Sequence, residues 1–307
     1  MTLQIDGIVP IIPTPFEENE EIAWEDLDRL VDFAVASGAC AICLPAYASE
    51  FYKLSEEERL GVVRRAAARA AGRLPVIAQV NYSSVKLAVM AAARAREAGA
   101  SAICSAAPRL FPMPESDLLA YFGGLLESVP LPFVLQDFNP GGPSLSVSAL
   151  ARLHRDHPHF RYVKLEEPLM GAKVTAILEA TEGGLGVLEG WGGMYTLELV
   201  PVGIAGVAPG LALTDLLGRV FRLAREGRGE QARPLFEGIL PQILYSLQNM
   251  ELFHYAEKQL LKARGVLRNT TVRKAALTPG PHEREHIARL NSRVLELVRT
   301  LEDFSHA

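Results

Sequence analysis

The chain has 307 residues, of which 49% are hydrophobic and 22% are charged, and its net charge is −5. This length and composition fit a folded protein with a large core and argue against a disordered chain. The acidic balance and the absence of a basic cluster exclude a nucleic-acid-binding protein, and no run of about 18 apolar residues predicts a membrane span. We therefore expect a soluble, cytoplasmic protein that binds neither nucleic acid nor membrane.

Short apolar runs alternate with longer amphipathic stretches along most of the chain. The runs predict eight strands, at residues 7–12, 39–44, 76–80, 102–105, 133–137, 162–166, 186–189 and 203–207. The stretches between and after them predict eight helices, at residues 24–36, 55–71, 84–98, 115–127, 146–157, 169–181, 194–202 and 213–226. Strands of this largely apolar character suit a sheet that is covered on both faces.

Eight strand-helix units in strict alternation predict an α/β protein with a (β/α)8 TIM barrel. A doubly wound sheet is the alternative, but the first strand is followed by a proline-rich segment, Pro10 to Phe16, where a dinucleotide-binding sheet has its glycine motif. After the barrel, predicted at residues 1–228, the alternation stops. We predict a C-terminal helical extension at residues 229–307, with long helices at 230–263 and 282–302, packed on the barrel.

Three cysteines, Cys40, Cys43 and Cys104, lie in apolar runs, and their odd number argues against a disulfide framework. Cys40 and Cys43 have the spacing of half a redox or zinc motif. In an extended segment, however, residues three apart face opposite sides, and no second pair completes the motif. We predict reduced core thiols and no metal site.

Lys164 is the lysine with an unusual setting, because it interrupts an apolar strand. The other lysines lie in predicted helices or loops, where we expect solvated side chains. The two-residue repeat of a strand sends Lys164 and Glu166 to the same side. Burial lowers the proton affinity of a lysine, which favours a nucleophile that captures a carbonyl group as a Schiff base. The alternative is a structural lysine that is simply paired with Glu166 or Glu167.

The carboxyl ends of the strands carry the active site in barrels of this kind. Gln136 lies at the end of the fifth predicted strand. The residues after the other strands that we predict to contact a substrate are Tyr47, Ala48, Ser49, Arg109, Gly190 and Gly206. Arg109 has two interpretations that stay open: a solvated loop cation, or a partner for an acidic group of the substrate.

In chain order, these segments resemble the dihydrodipicolinate synthase and N-acetylneuraminate lyase family of class I aldolases and dehydratases. The resemblance is carried by Pro13-Thr14-Pro15-Phe16, by Ser49-Glu50, by Lys164 and by the strand with Gly203 and Gly206. It implies a barrel that binds a small-molecule 2-keto acid through a Schiff base on Lys164, without a metal or organic cofactor. It also implies a homo-oligomer, a tetramer or a dimer.

The chain departs from the family pattern at three strand ends, and at the fourth strand Arg109-Leu110 replaces the usual tyrosine pair. Most of the family has Gly-Thr-Thr-Gly-Glu after the second strand, whereas this chain has Ala-Tyr-Ala-Ser-Glu at residues 46–50, so both hydroxyls for the keto acid's carboxylate are absent and backbone amides remain. The catalytic tyrosine after the fifth strand is replaced by Gln136-Asp137, which disfavours dihydrodipicolinate synthesis. The residues Gln136, Lys164 and Glu166 resemble those of the family branch that includes 2-keto-3-deoxy-L-arabonate dehydratase. This resemblance implies catalytic roles for all three residues.

The substitutions favour elimination over carbon-carbon cleavage. Cleavage needs a base for the hydroxyl on carbon 4, and the amide Gln136 cannot titrate. Dehydration needs a base at carbon 3 and an acid for the departing hydroxide, and Glu166 can serve as both in turn. We expect dehydration of a 2-keto-3-deoxy sugar acid to a dioxo acid. The alternatives are a pyruvate-dependent aldolase or hydratase-aldolase and, from a different class, a non-catalytic keto-acid-binding barrel.

Overall fold

The computed structural model of the chain describes residues 3–108, 110–139 and 144–305. Eight parallel strands form one sheet in the order β1-β8-β7-β6-β5-β4-β3-β2. They are β1 (Gly7–Ile8), β2 (Ile42–Leu44), β3 (Val76–Gln79), β4 (Ala102–Ala106), β5 (Phe133–Phe138), β6 (Phe160–Glu166), β7 (Gly186–Glu189) and β8 (Gly206–Val207). Backbone bonds from Cys40 N to Ile8 O (2.9 Å) and from Ile12 N to Cys43 O (3.0 Å) join the first segment to the second. The curled sheet and its surrounding helices confirm the predicted TIM barrel.

Helices follow the strands and cover the outside of the sheet. They are α1 (Trp24–Ala36), α2 (Glu56–Ala70), α3 (Val85–Glu97), α4 (Glu115–Ser128), α5 (Val147–Asp156), α6 (Met170–Ala180), α7 (Thr196–Leu199), α8 (Thr214–Arg225), α9 (Gly229–Ser246), α10 (Met250–Ala263) and α11 (Pro281–Ser305). Ser55 and Ser146 cap α2 and α5 through their side chains, as serine before a helix predicts. Ser84 makes no such bond.

The first and last strands are shorter than predicted. The ladder of β1 ends at Ile8, and Pro10 lacks the N–H group that a continuous ladder needs. At the other end, Gly203 has a φ of 107°, which belongs to a turn, and β8 begins only at Gly206. Neither difference changes the strand count.

The C-terminal segment contains two helices where the sequence predicts one at residues 230–263. Asn249 ends the continuity, because its backbone is extended and its side chain accepts hydrogen bonds from Glu251 N and Leu252 N at the start of α10. Helix α9 packs against α8, and α11 packs against α9. The division into a barrel and a separate extension stays a prediction. Within the described ranges, no helix has the length and apolar character that crossing a bilayer requires.

Candidate active site

Lys164 and Glu166 lie near the carboxyl end of β6 and share one face of the strand. Lys164 Nζ donates to Glu166 Oε1 over 2.8 Å. Their side chains are 11% and 10% exposed, so the pair is largely withdrawn from water. The structure thus places the amine and the carboxylate side by side, as the strand period predicts.

Gln136 lies opposite Lys164 in the register of β5 and β6, and Phe138 lies opposite Glu166. Gln136 Nε2 donates to Glu166 Oε1 over 2.5 Å, so one carboxylate oxygen accepts from both the amine and the amide. Gln136 Oε1 in turn accepts from Gln79 Nε2, which also donates to Asn81 Oδ1. The chain of side chains fixes the Gln136 amide and, through it, the direction of the Glu166 carboxylate.

The pKa of Lys164 departs from the sequence-based expectation. Burial lowers this pKa, but the charge and the hydrogen bond of Glu166 raise it by more, so the net pKa lies above the ordinary lysine value. The direction follows from the 2.8 Å contact, because opposite charges attract strongly where little water intervenes. The expected lowering is therefore wrong. Glu166 therefore favours the protonated form of Lys164.

A short turn after β2 forms another wall of the site. Tyr47, Ala48 and Ser49 form one turn of 3-10 helix, in which Ser49 N bonds to Ala46 O. Tyr47 and Ala48 both line the cavity. Burial, followed by the nearby charge of Glu166, raises the pKa of Tyr47, so its phenol stays neutral. The neutral Tyr47 phenol can donate a hydrogen bond into the cavity.

Ser49 differs from its two neighbours. It is fully buried, and its hydroxyl donates to Ile12 O over 2.5 Å, while Thr14 Oγ1 donates to its carbonyl over 2.6 Å. These bonds anchor the turn to the first strand segment. The predicted contact between Ser49 and a substrate stays a prediction, and the hydroxyl already has a partner.

A cavity of about 760 Å³ opens above these groups. Its strand side is lined by Tyr47, Ala48, Gln136, Lys164 and Glu166. Its opposite side comes from the segment after β7 and from the break between α9 and α10, with Trp191, Met194, Leu247, Met250 and Phe253. The helical extension therefore supplies part of the site. The sequence does not predict this wall, because residues 247–249 lie inside the single helix predicted at residues 230–263.

The two glycines predicted as substrate contacts have different positions. Gly190 lines the cavity, and a Cβ there would lie 2.5 Å from Glu166 Cγ and 2.9 Å from Lys164 Cγ. Gly206 faces the backbone of β1, where a Cβ would lie 2.3 Å from Gly7 O, and is not among the cavity-lining residues. Gly190 makes room for the reactive pair, whereas Gly206 permits strand pairing. Arg109 lies outside the described residues.

Comparison with known proteins connects this geometry to a family. A sequence model of the Dihydrodipicolinate synthetase family matches residues 4–293, which is nearly the whole chain. The chain belongs to the dihydrodipicolinate synthetase family. Family members are lyases, which make or break carbon-carbon or carbon-oxygen bonds. The family resemblance inferred from the sequence is confirmed.

Individual relatives in the dihydrodipicolinate synthetase family carry different names. An L-2-keto-3-deoxyarabonate dehydratase of Azospirillum brasilense is 27% identical over 267 residues, and the match covers 85% of each chain. A 4-hydroxy-tetrahydrodipicolinate synthase of Chlorobium limicola is 29% identical over 238 residues, covering 76% of this chain and 79% of the relative. The crystal structure of dihydrodipicolinate synthase from Rhodopseudomonas palustris superimposes with a TM-score of 0.89 at 25% identity. The superposition covers 95% of this chain and 99% of the synthase chain.

A second lysine, Lys258, is buried although the sequence did not predict it. Lys258 is 1% exposed, and its Nζ donates to Glu50 Oε1 over 2.5 Å and to Thr271 O over 2.8 Å. The expectation of a solvated side chain is wrong here, because Lys258 lies on the face of α10 that packs on the turn after β2. Burial lowers the pKa of Lys258 although Glu50 opposes the change. Lys258 does not line the cavity.

Glu189, at the end of β7, is a second group that sequence reasoning did not single out. It is fully buried and accepts from Gly193 N over 2.7 Å and from Trp191 N over 3.1 Å. Burial raises the pKa of Glu189 to about 8, although these N–H groups and the charge of Lys164 lower it. Its register partner is Leu165, so it lies on the face of the sheet opposite Lys164. Glu189 holds the segment that carries Trp191.

Proposed function

We propose that the chain is a Schiff-base-forming lyase that removes water from a 2-keto-3-deoxy acid, of the kind that 2-keto-3-deoxy-L-arabonate represents. The observation that carries the proposal is the 2.8 Å contact between Lys164 Nζ and Glu166 Oε1 in the cavity wall. A lysine is the side chain that captures a keto carbon as an imine. The relative from Azospirillum brasilense is named for a dehydration of this type.

The ion pair supplies the protons for imine formation. Transfer of one proton from Lys164 to Glu166 gives a neutral amine, whose electron pair forms a bond to carbon 2 of the keto acid. The carbinolamine then loses its hydroxyl as water, with a proton from Glu166, and leaves an iminium beside a carboxylate. In this proposal the backbone amides of Tyr47 and Ala48, two residues of the cavity wall, donate to the acid's carboxylate.

Elimination uses the same carboxylate a second time. Glu166 takes a proton from carbon 3, which the iminium acidifies, and an enamine forms. The protonated Glu166 then gives its proton to the hydroxyl on carbon 4. The carbon-oxygen bond breaks, a double bond forms between carbons 3 and 4, and water leaves. Gln136 has no proton to give at neutral pH, so it acts by holding Glu166.

The competing reaction, cleavage between carbons 3 and 4, needs a base on the carbon 4 hydroxyl. Tyr47 is a phenol of the cavity wall, and its raised pKa keeps it a donor. A phenol that stays protonated is a poor base for the carbon 4 hydroxyl, which favours elimination over cleavage. The products of the reaction distinguish an aldolase or a hydratase-aldolase from the dehydratase, and the absence of any product distinguishes the non-catalytic binding barrel.

Product analysis with 2-keto-3-deoxy-L-arabonate tests the proposal. Elimination and tautomerisation yield a 2,5-dioxo acid, detected as a semialdehyde, and this is the result that we expect. Pyruvate with glycolaldehyde would establish carbon-carbon cleavage in its place. A borohydride-trapped adduct without either product, for any 2-keto-3-deoxy acid, would leave a protein that binds keto acids without turning them over.

A further inference from the structure

The cavity has two sides with different chemistry. On the strand side, Lys164, Glu166, Gln136 and the turn at Tyr47 supply charges and hydrogen-bond donors. These groups match the carboxylate, the keto group and the carbon 4 hydroxyl of the substrate in the proposed function. The part of the substrate beyond carbon 4 would therefore lie against the opposite side of the cavity.

The opposite side is apolar. Trp191, Met194, Leu247, Met250 and Phe253 present rings, thioethers and an aliphatic group to the cavity. The wall is tightly built, because a Cβ on Gly192 would lie 2.7 Å from Leu247 Cδ1, and Phe253 is only 6% exposed. Such a surface gains free energy by covering an apolar group.

Several polar groups on that side have partners within the protein. Tyr52 Oη lies 2.6 Å from Glu251 Oε1 and 3.0 Å from His254 Nε2. Asn249 Oδ1 accepts from the first amides of α10, and Gln248 Nε2 donates to Tyr245 O over 3.1 Å. The remaining amide atoms of Gln248 and Asn249 belong to exposed residues at the mouth, where water competes for them. A substrate hydroxyl that is buried against the apolar side chains would lose water without a replacement.

The volume of the cavity supports a longer substrate. About 760 Å³ lies in the upper part of the range of about 300–1,000 Å³ that is typical of sites for drug-sized ligands. A five-carbon sugar acid has about ten non-hydrogen atoms and would leave much of this apolar wall uncovered.

We infer that the preferred substrate is a 4-hydroxy-2-keto acid with an aliphatic or aromatic group beyond carbon 4, and that a polyhydroxylated acid such as 2-keto-3-deoxy-L-arabonate reacts more slowly. The inference rests on the proposed dehydration and names its substrate class. The reaction is R–CH(OH)–CH2–CO–COOH to R–CH=CH–CO–COOH and water. The proton of carbon 3 goes to Glu166 and then leaves with the carbon 4 hydroxyl, and no oxidant or reductant takes part. The product is a conjugated 2-oxo-3-alkenoate, which absorbs in the ultraviolet.

A matched pair of substrates tests the inference directly. We compare kcat/KM for 4-hydroxy-2-oxohexanoate and 4,5,6-trihydroxy-2-oxohexanoate, which share one carbon chain and differ only in two hydroxyls. We expect about a hundredfold preference for the monohydroxy acid, about tenfold for each buried hydroxyl left without a partner. Lengthening the monohydroxy acid to the octanoate should raise kcat/KM about fourfold for each added methylene. A trihydroxy acid that reacts equally well or better would overturn the inference.

Two variants locate the preference in this wall. Met250→Gln, at a residue 36% exposed, should fold normally and narrow the preference between the two hexanoates about tenfold. Leu244→Gln is the control, because Leu244 is 50% exposed on α9 and does not line the cavity. An unchanged preference in Met250→Gln, or an equal change in Leu244→Gln, would contradict the assignment.

Borohydride trapping separates failure of this inference from failure of the proposed function. A trapped adduct with pyruvate needs only Lys164 and does not depend on the apolar wall. If no 2-keto acid gives an adduct, both proposals fall. If adducts form and the trihydroxy acid is the better substrate for dehydration, the proposed function stands and only the apolar substrate class is withdrawn.

Discussion

Two of the described lysines are buried, and their surroundings differ. Lys164 faces a cavity with one carboxylate beside it, and the pKa of Lys164 is raised. Lys258 is enclosed between α10 and the turn after β2, and burial lowers its pKa. The direction of the pKa shift alone would select Lys258 as the nucleophile. Access to the cavity favours Lys164 for the proposed role, because a nucleophile must reach its substrate.

Glu166→Gln separates adduct formation from turnover. The amide removes the counter-charge and leaves burial, so the pKa of Lys164 should fall, and borohydride trapping with pyruvate should reach its half-maximal rate at a lower pH. Turnover should fall about 10²–10⁴-fold, the range for loss of a general acid-base group. Glu167→Gln, at the next carboxylate, which pairs with Lys173 at 3.1 Å, is the matched control. Unimpaired turnover would remove Glu166 from the mechanism.

Gly190→Ala tests the space around the reactive pair. The new methyl group would lie 2.5 Å from Glu166 Cγ and 2.8 Å from Leu165 O, and the backbone atom cannot move aside cheaply. We expect the rate of adduct trapping to fall at least about tenfold, because a small displacement of a reacting group is costly. Gly123→Ala, in α4, meets no heavy atom within 4 Å and should leave trapping unchanged. Normal trapping in Gly190→Ala would show that the pair tolerates displacement.

At the scale of elements, helix α10 links the extension to the site. Its residues Met250 and Phe253 line the cavity, and Lys258, two turns further on, is paired with Glu50 behind the Tyr47 turn. Glu50 has a φ of 60°, and a second cation, Lys53, lies 3.1 Å from its other oxygen. The two ion pairs hold Glu50 in a left-handed backbone conformation, which residues other than glycine rarely adopt.

Removing one partner of this buried pair should destabilise the protein strongly. Lys258→Met leaves the Glu50 carboxylate buried without its closest cation, and we expect a loss of about 3–5 kcal/mol in the free energy of unfolding, measured with urea. Arg233→Met breaks a surface pair with Glu230 in which both side chains are more than half exposed, and should leave the free energy of unfolding nearly unchanged. Equal effects of the two substitutions would contradict this description.

The sequence predicts those features of fold and site that depend on local periodicity. Alternation of short strands and helices suffices for the barrel, and the two-residue repeat suffices to place Lys164 beside Glu166. Lys258 was missed because a lysine on an amphipathic helix is normally solvated, and its burial depends on Glu50, 208 positions away in the chain. The wall at Met250 was missed because the break at Asn249 depends on a capping bond that hydrophobic periodicity does not record.

At the scale of the whole molecule, the barrel brings distant segments to one end of the sheet. The homo-oligomeric state and the cytoplasmic location remain predictions from the sequence. Leu110 and Phe111, after β4, are 76% and 74% exposed, which is unusual for large apolar side chains.

Stability of the folded chain should depend on pH through Glu189. Its pKa is about 8 in the folded protein and about 4.3 in an unfolded chain. Between these values the folded state binds the extra proton, so the free energy of unfolding falls as pH rises, by up to about 1.4 kcal/mol per pH unit from this group. Glu189→Gln should reduce the slope between about pH 5 and 8, measured by urea unfolding.

The control for this pH dependence is Glu230→Gln. Arg233 lowers the pKa of the exposed Glu230 carboxyl, so this group titrates below the window and the variant should keep the slope of the unchanged protein. Glu257, whose pKa burial raises to about 7, retains part of the slope in Glu189→Gln. Identical slopes in the Glu189→Gln variant and the unchanged protein would contradict the raised pKa.

The most direct measurement of the central claim is borohydride reduction in the presence of pyruvate, followed by peptide mapping with mass spectrometry. The account predicts one adduct, on the peptide that contains Lys164, and none in Lys164→Arg. An unmodified protein, or an adduct on Lys258 in its place, would contradict the claim that the cavity lysine beside Glu166 captures the keto acid.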